Sequence, residues 1–65
     1  MFKGKKYIVG WRIVGTQESG VVEGKRTFKD AVSKCTLWNA IAKEDREFFP
    51  MKKNWRGVWT RVKGY

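Results

Sequence analysis

The residues of this chain that offer a chemistry are lysine, arginine and tryptophan, and the cations concentrate at the two ends. Residues 1–14 carry four cations and no acid, and residues 50–65 carry five cations and no acid. The residues between them carry six of each sign, so the ends hold the whole formal charge of +9. Ammonium and guanidinium groups bind phosphates, and indole rings stack on bases. This combination favours a nucleic acid, DNA or RNA, as the partner.

The candidate nucleic-acid-binding residues come mainly from these two basic ends. Each cation is expected to contact a phosphate, and two tryptophans near the C-terminus are expected to stack on bases. The set consists of Lys5, Lys6, Arg12, Lys25, Lys52, Lys53, Trp55, Arg56, Trp59, Arg61 and Lys63. These residues can act as one surface only if the fold brings the two ends of the chain together.

The composition gives little support for catalysis or for metal binding. The chain has no His and one Cys, which excludes Ser-His-Asp and Cys-His arrangements, a multi-cysteine zinc site and an intramolecular disulfide. Cys35 falls in an apolar helical stripe, which favours a buried thiol over a nucleophile. The acids Glu44, Asp45 and Glu47 form a short run typical of a solvated surface. We therefore predict a protein that is not an enzyme and needs no cofactor or metal.

The length of 65 residues leaves room for one domain, residues 1–65, with a marginal core. The first six residues are basic and read as a flexible arm. No apolar run approaches the roughly 20 residues of a membrane span, and residues 1–14 lack the apolar stretch of a signal peptide. These features predict a cytoplasmic protein with no membrane partner.

The first third of the chain predicts a β-hairpin. Residues 7–14 and 21–26 are rich in β-branched residues and flank a polar, glycine-bounded turn. A four-residue loop over 16–19 pairs residues whose numbers sum to 35, which places Arg12 opposite Glu23. This register also gives the hairpin one apolar face, formed by Tyr7, Val9, Trp11, Ile13 and Val22.

A helix is predicted to follow the hairpin. Thr27 and Asp30 are spaced as a capping box, with a hydroxyl for the N3 amide and an acid to reach back. Apolar residues recur at helical spacing from Phe28, and the helix is expected to run to about Arg46. Residues 48–50 end with a proline, which predicts the end of this element. Residues 52–54 read as a basic loop.

Residues 55–63 predict a third strand, which completes a ββαβ order. The expected fold class is α+β: a three-stranded antiparallel or mixed sheet with one helix packed on one face. A right-handed crossover places the third strand beside the first, in the order 2-1-3. The two basic ends of the chain then become neighbours and form one positive surface.

Two orientations of the third strand remain open. In one, Trp55, Trp59, Arg61 and Lys63 share the solvent-facing side of the sheet with Arg12 and Lys25. In the other, Trp55 and Trp59 point into the core with Trp11 and Trp38, because a small domain needs bulky core residues. The basic edge is expected in either case, since most of its cations lie in loops and termini.

A second class of function also fits the sequence. Leu37, Ile41 and Phe48 form an apolar strip on the predicted helix, away from its main stripe. That strip, or the basic face, would let the chain act as an inhibitor or adaptor that docks on an apolar or acidic surface of a partner protein. A small accessory protein of a phage or mobile element fits either class. Phosphate binding and protein binding are expected to differ in their salt dependence.

Overall fold

The computed structural model describes residues 5–42 and 45–65, which form a four-stranded sheet and one helix. The elements in chain order are β1 (Tyr7–Ile13), β2 (Ser19–Arg26), α1 (Phe28–Ile41), β3 (Arg46–Lys53) and β4 (Trp59–Arg61). The sheet order is β2-β1-β3-β4, and every neighbouring pair is antiparallel. The α+β class with one helix is confirmed, but the sheet has a fourth strand that was not predicted. The strand beside β1 is residues 46–53, so the predicted place of the strand over residues 55–63 next to the first strand is wrong. No helix within the described residues is long and apolar enough to cross a membrane.

The predicted basic arm over residues 1–6 lies mostly outside the described residues. Its first four residues are not described, while Lys5 and Lys6 are exposed and lead directly into β1.

The hairpin forms as predicted but in a different register. Val9 pairs with Val22 and Arg12 pairs with Ser19, so paired numbers sum to 31 and the expected Arg12–Glu23 pair is wrong. The turn closes earlier because the Ile13 amide donates to the Glu18 carbonyl at 3.0 Å. The shift of four is even, and side chains alternate with a period of two. The predicted apolar face therefore survives the change of register.

The start of α1 agrees with the sequence, and its end does not. The Asp30 amide donates to the Thr27 hydroxyl at 3.2 Å, so Thr27 is the N-cap as predicted. The Asp30 carboxylate does not complete the box; it accepts from Arg26 at 3.2 Å instead. The helix ends at Ile41, because Ala42 is already extended, and the expected continuation to about Arg46 is wrong.

Strand β3 replaces the helix end and basic loop that were predicted over this stretch. It pairs with β1 over residues 46–52, and it places Phe49 and Pro50 in the interior of the sheet. The Pro50 carbonyl accepts from the Val62 amide at 2.9 Å. In a regular antiparallel pair, the N–H of residue 50 would also donate to the carbonyl of Val62, but proline has no N–H. The missing bond coincides with the point where the β3–β4 ladder stops.

The core lies between the sheet and α1. It is built on Val9, Ala31 and Cys35, and the partly buried Tyr7, Val22, Trp38 and Phe48 pack against it. Burial raises the pKa of the Cys35 thiol, with the charge of Arg26 opposing this, so the thiol is kept protonated. Such a thiol is a poor nucleophile, in agreement with the predicted core role.

The side of the sheet away from α1 carries a smaller buried layer. Ile8 and Phe49 are 7% and 9% exposed, and the Arg61 guanidinium lies 4.4 Å from the Phe49 ring centroid. Gly10 pairs with Phe49, and the Phe49 ring packs against Gly10. A Cβ at residue 10 would lie 2.8 Å from a carbon of that ring, so the close packing requires glycine. This side of the sheet is called the open face below.

Candidate nucleic-acid interface

The four strands bring separate basic segments to one end of the sheet. Because neighbouring strands are antiparallel, β1 and β4 begin at the end where β2 and β3 finish. Residues 5–6 enter this end, residue 25 lies near the end of β2, and residues 52–53 close β3. Lysines that are up to 48 positions apart in sequence therefore meet at one edge of the fold.

A cleft of about 450 Å³ opens at this end of the sheet. Its lining is five lysines and two aromatic residues: Lys5, Lys6, Lys25, Lys52, Lys53, Tyr7 and Trp59. Among the described residues that line it, none is acidic. We refer to these seven residues as the lysine cleft. Five ammonium groups around one concave surface create a field that attracts polyanions.

The pairing of β1 with β2 is irregular around Lys25, which lines the lysine cleft. Val9 pairs with Val22, whereas Tyr7 pairs with Arg26, so β2 has two extra residues over this stretch. Gly24 lies inside the irregularity with φ +106°, a backbone conformation that favours glycine. Lys25 lies within this irregularity and lines the cleft together with the lysines that precede β1 and those of β3.

The turn between β3 and β4 extends from the same end of the sheet. Trp55 is 87% exposed, and the Arg56 guanidinium lies 4.9 Å from its ring centroid. Residues 55–58 belong to this turn and not to a strand, so the predicted strand over 55–63 is shortened to Trp59–Arg61. Trp59 is half-buried on the open face, with the Lys53 ammonium 5.4 Å from its ring centroid.

Trp55 and Trp59 do not point into the core, which was one of the two orientations considered for the predicted third strand. Trp55 is almost fully exposed, and the core cluster contains Trp38 rather than Trp59. Trp11 is half-buried against Arg46, whose guanidinium lies 4.6 Å from the indole centroid. Phe48 of β3 packs against the core instead, although the sequence analysis assigned it to an apolar strip on the predicted helix.

Arg12 and Arg61 are held by one carboxylate on the open face, apart from the lysine cleft. Glu47 accepts from the Arg12 Nε at 2.9 Å through one oxygen and from Arg61 Nη2 at 3.1 Å through the other. Desolvation acts to raise the pKa of Glu47, but the hydrogen bonds and charges of the two arginines outweigh it and the pKa is lowered. Part of the positive charge predicted for this face is therefore neutralised within the fold.

The lowered pKa of Glu47 predicts an acid-dependent loss of stability. A carboxylate with a depressed folded pKa stabilises the fold above its unfolded pKa, about 4.3 for glutamate, and this contribution is lost as pH falls through the folded value. The stability advantage of the wild type over Glu47→Gln should be largest at neutral pH and shrink below about pH 4.3. Thermal unfolding of both proteins across this range measures it. A difference that stays constant throughout would contradict the prediction.

Lys63 and the proposed docking strip lie elsewhere. Lys63 is exposed beyond the end of β4 and does not line the cleft. Leu37 and Ile41 are 52% and 64% exposed on α1, whereas Phe48 lies on β3 with its ring 5.5 Å from that of Trp38. The predicted strip of three is therefore wrong, because Phe48 belongs to the core side of the sheet.

The sequence did not identify Tyr7 as part of the site. It had been assigned to the apolar face, and its ring does contact Phe28 at 5.1 Å, yet it also lines the cleft. The available signal was its position directly after Lys6, at the start of a strand. Comparison with models of protein families, with curated proteins and with solved structures gives no match to this chain. The functional argument therefore depends on the chain's own residues.

Proposed function

We propose that this chain is a small non-enzymatic module that binds nucleic acid through phosphates at the lysine cleft. The observation that supports it is the convergence of five lysines from three segments of the chain around one concave surface. The charge of +9 belongs to the whole chain, but the cleft concentrates more than half of that number in one place.

The contrast with the open face supports the choice of this cleft. Arg12 and Arg61 share the carboxylate of Glu47, so a phosphate there would compete with an internal ion pair. The lining of the lysine cleft contains no such carboxylate within the described residues. A polyanion entering the cleft gains contacts with several ammonium groups and releases the counterions condensed on its phosphates.

Neutralising two cleft lysines should lower the salt dependence of binding. On single strands each phosphate contact contributes about −0.7 to the slope of log K against log salt, so Lys52→Gln with Lys53→Gln should make the slope less steep by about 1.4. The measurement is fluorescence anisotropy with a labelled oligothymidylate over a range of salt concentrations. The matched control is Lys34→Gln with Lys63→Gln, which removes the same charge away from the cleft.

Two outcomes would contradict the proposed function. The first is an equal change of slope in the control variant, which would show that net charge alone attracts the probe. The second is displacement of the oligonucleotide by polyglutamate at an equal concentration of charge, which would favour an acidic protein as the partner. The proposal predicts that polyglutamate competes weakly and that the control keeps the wild-type slope.

A further inference from the structure

Trp55 is the most exposed large apolar residue of the described chain, and it lies in the turn between Lys53 and Trp59, which both line the lysine cleft. A tryptophan left 87% exposed forgoes the burial that usually makes this residue an anchor of a small core. It follows Lys53 by two positions in the chain, and the strand after the turn begins with Trp59, which lines the cleft. The turn that carries the exposed indole therefore connects two residues of the proposed phosphate site, although Trp55 itself does not line the cleft.

The turn that carries Trp55 is closed by its own hydrogen bonds. The Asn54 Oδ1 accepts from the Arg56 amide at 2.8 Å and from the Val58 amide at 3.1 Å. The Asn54 amide donates to the Val58 carbonyl at 2.9 Å, and the Gly57 amide donates to the Asn54 carbonyl at 2.9 Å. Gly57 has φ +79°, which this turn requires and glycine adopts at low cost.

A closed turn presents the indole without a large entropic cost on binding. Preorganised groups lose less conformational freedom when a ligand arrives, so more of the contact energy is available as affinity. Arg56 adds a cation 4.9 Å from the ring centroid of Trp55. The turn thus combines a stacking surface with a phosphate-binding group.

We propose that Trp55 stacks on an unpaired base of a strand whose phosphates lie in the lysine cleft, so that the chain prefers single-stranded nucleic acid to duplex. This inference rests on the proposed function, because it takes phosphate binding at the cleft as given. Bases within a duplex are already stacked on their neighbours, and exposing one costs free energy that a single strand does not pay. Stacking on Trp55 therefore rewards unpaired bases, while the lysines attract either form.

The test compares Trp55→Ala with the wild type on oligothymidylate and on its duplex with oligoadenylate. Loss of one base stack should weaken single-strand binding by about 5- to 150-fold. Duplex affinity should change by less than about 2-fold, since duplex binding is mainly electrostatic. Trp55→Phe should retain most of the single-strand affinity. Val58→Ala, which truncates another exposed residue of the same turn, should leave it unchanged.

The outcomes separate this inference from the proposed function. Salt-dependent binding that Trp55→Ala leaves intact, or weakens equally on both probes, would overturn the stacking role while the phosphate site stands. No salt-dependent binding to either probe would remove the proposed function itself. Tighter Trp55-dependent binding to vesicles of phosphatidylserine and phosphatidylcholine than to oligothymidylate would overturn the inference in favour of a membrane surface. Circular dichroism checks that each variant is folded.

Discussion

Phe49→Ala is expected to remove a large part of the free energy of unfolding of this protein. The ring is 9% exposed, fits over Gly10 and lies under the Arg61 guanidinium at 4.4 Å. Truncating a buried phenylalanine costs about 3–5 kcal/mol. Typical stabilities scale to about 3–10 kcal/mol for a chain of this length. The free energy of unfolding from urea titration, followed by far-ultraviolet circular dichroism, measures the loss.

The control for Phe49→Ala is Val21→Ala, on the same open face of the sheet. Val21 is 51% exposed, so its truncation should change the free energy of unfolding by no more than about 0.5 kcal/mol. If Phe49→Ala were as mild as its control, residues 46–53 would not form an interior strand. The comparison therefore tests the element that the sequence failed to predict.

The sequence predicted the elements whose signals are local. Thr27 caps α1, and the hairpin keeps its predicted apolar face even though its register is shifted. The register was missed because it depends on a turn closed by Ile13 and Glu18, which composition does not specify. Two hairpin registers that differ by an even number of residues place the same side chains on each face of the sheet. Hydrophobic patterning therefore cannot distinguish one register from the other.

Strand β3 was missed because its residues resemble a helix end. Pro50 usually argues against an interior strand, since it cannot donate a ladder hydrogen bond. Here the partner of its missing donor would be Val62, just beyond the short strand β4. The cost is therefore one bond at the end of a ladder, and Phe48 and Phe49 fill opposite faces of the sheet. This compensation depends on contacts that lie far apart in the sequence.

The sequence predicted which types of residue form the candidate site, but it did not predict which of them lie together on one surface. The two basic ends do approach each other, because β3 rather than the final strand pairs with β1. Charge counting could not show that Glu47 would form ion pairs with Arg12 and Arg61, or that Lys25 would line the same cleft as lysines from other segments. These contacts depend on the tertiary structure. Of the eleven predicted residues, five lysines and Trp59 line the cleft.

Reversing the charge of Lys25 and of Lys53 should weaken nucleic-acid binding to a similar extent, although they are 28 positions apart. Both line the lysine cleft, so each substitution by glutamate lowers its formal charge from +5 to +3, and the pair lowers it to +1. Loss of one phosphate contact at 50 mM salt corresponds to about an 8-fold weaker association on single strands, and repulsion adds to this. We therefore expect about tenfold for each single variant and about 100-fold for the double variant. Lys34→Glu on α1 is the matched control and should change the affinity much less. If Lys25→Glu behaved like this control while Lys53→Glu did not, the β2 lysine would not share a binding surface with β3, and the lysine cleft would not be the site.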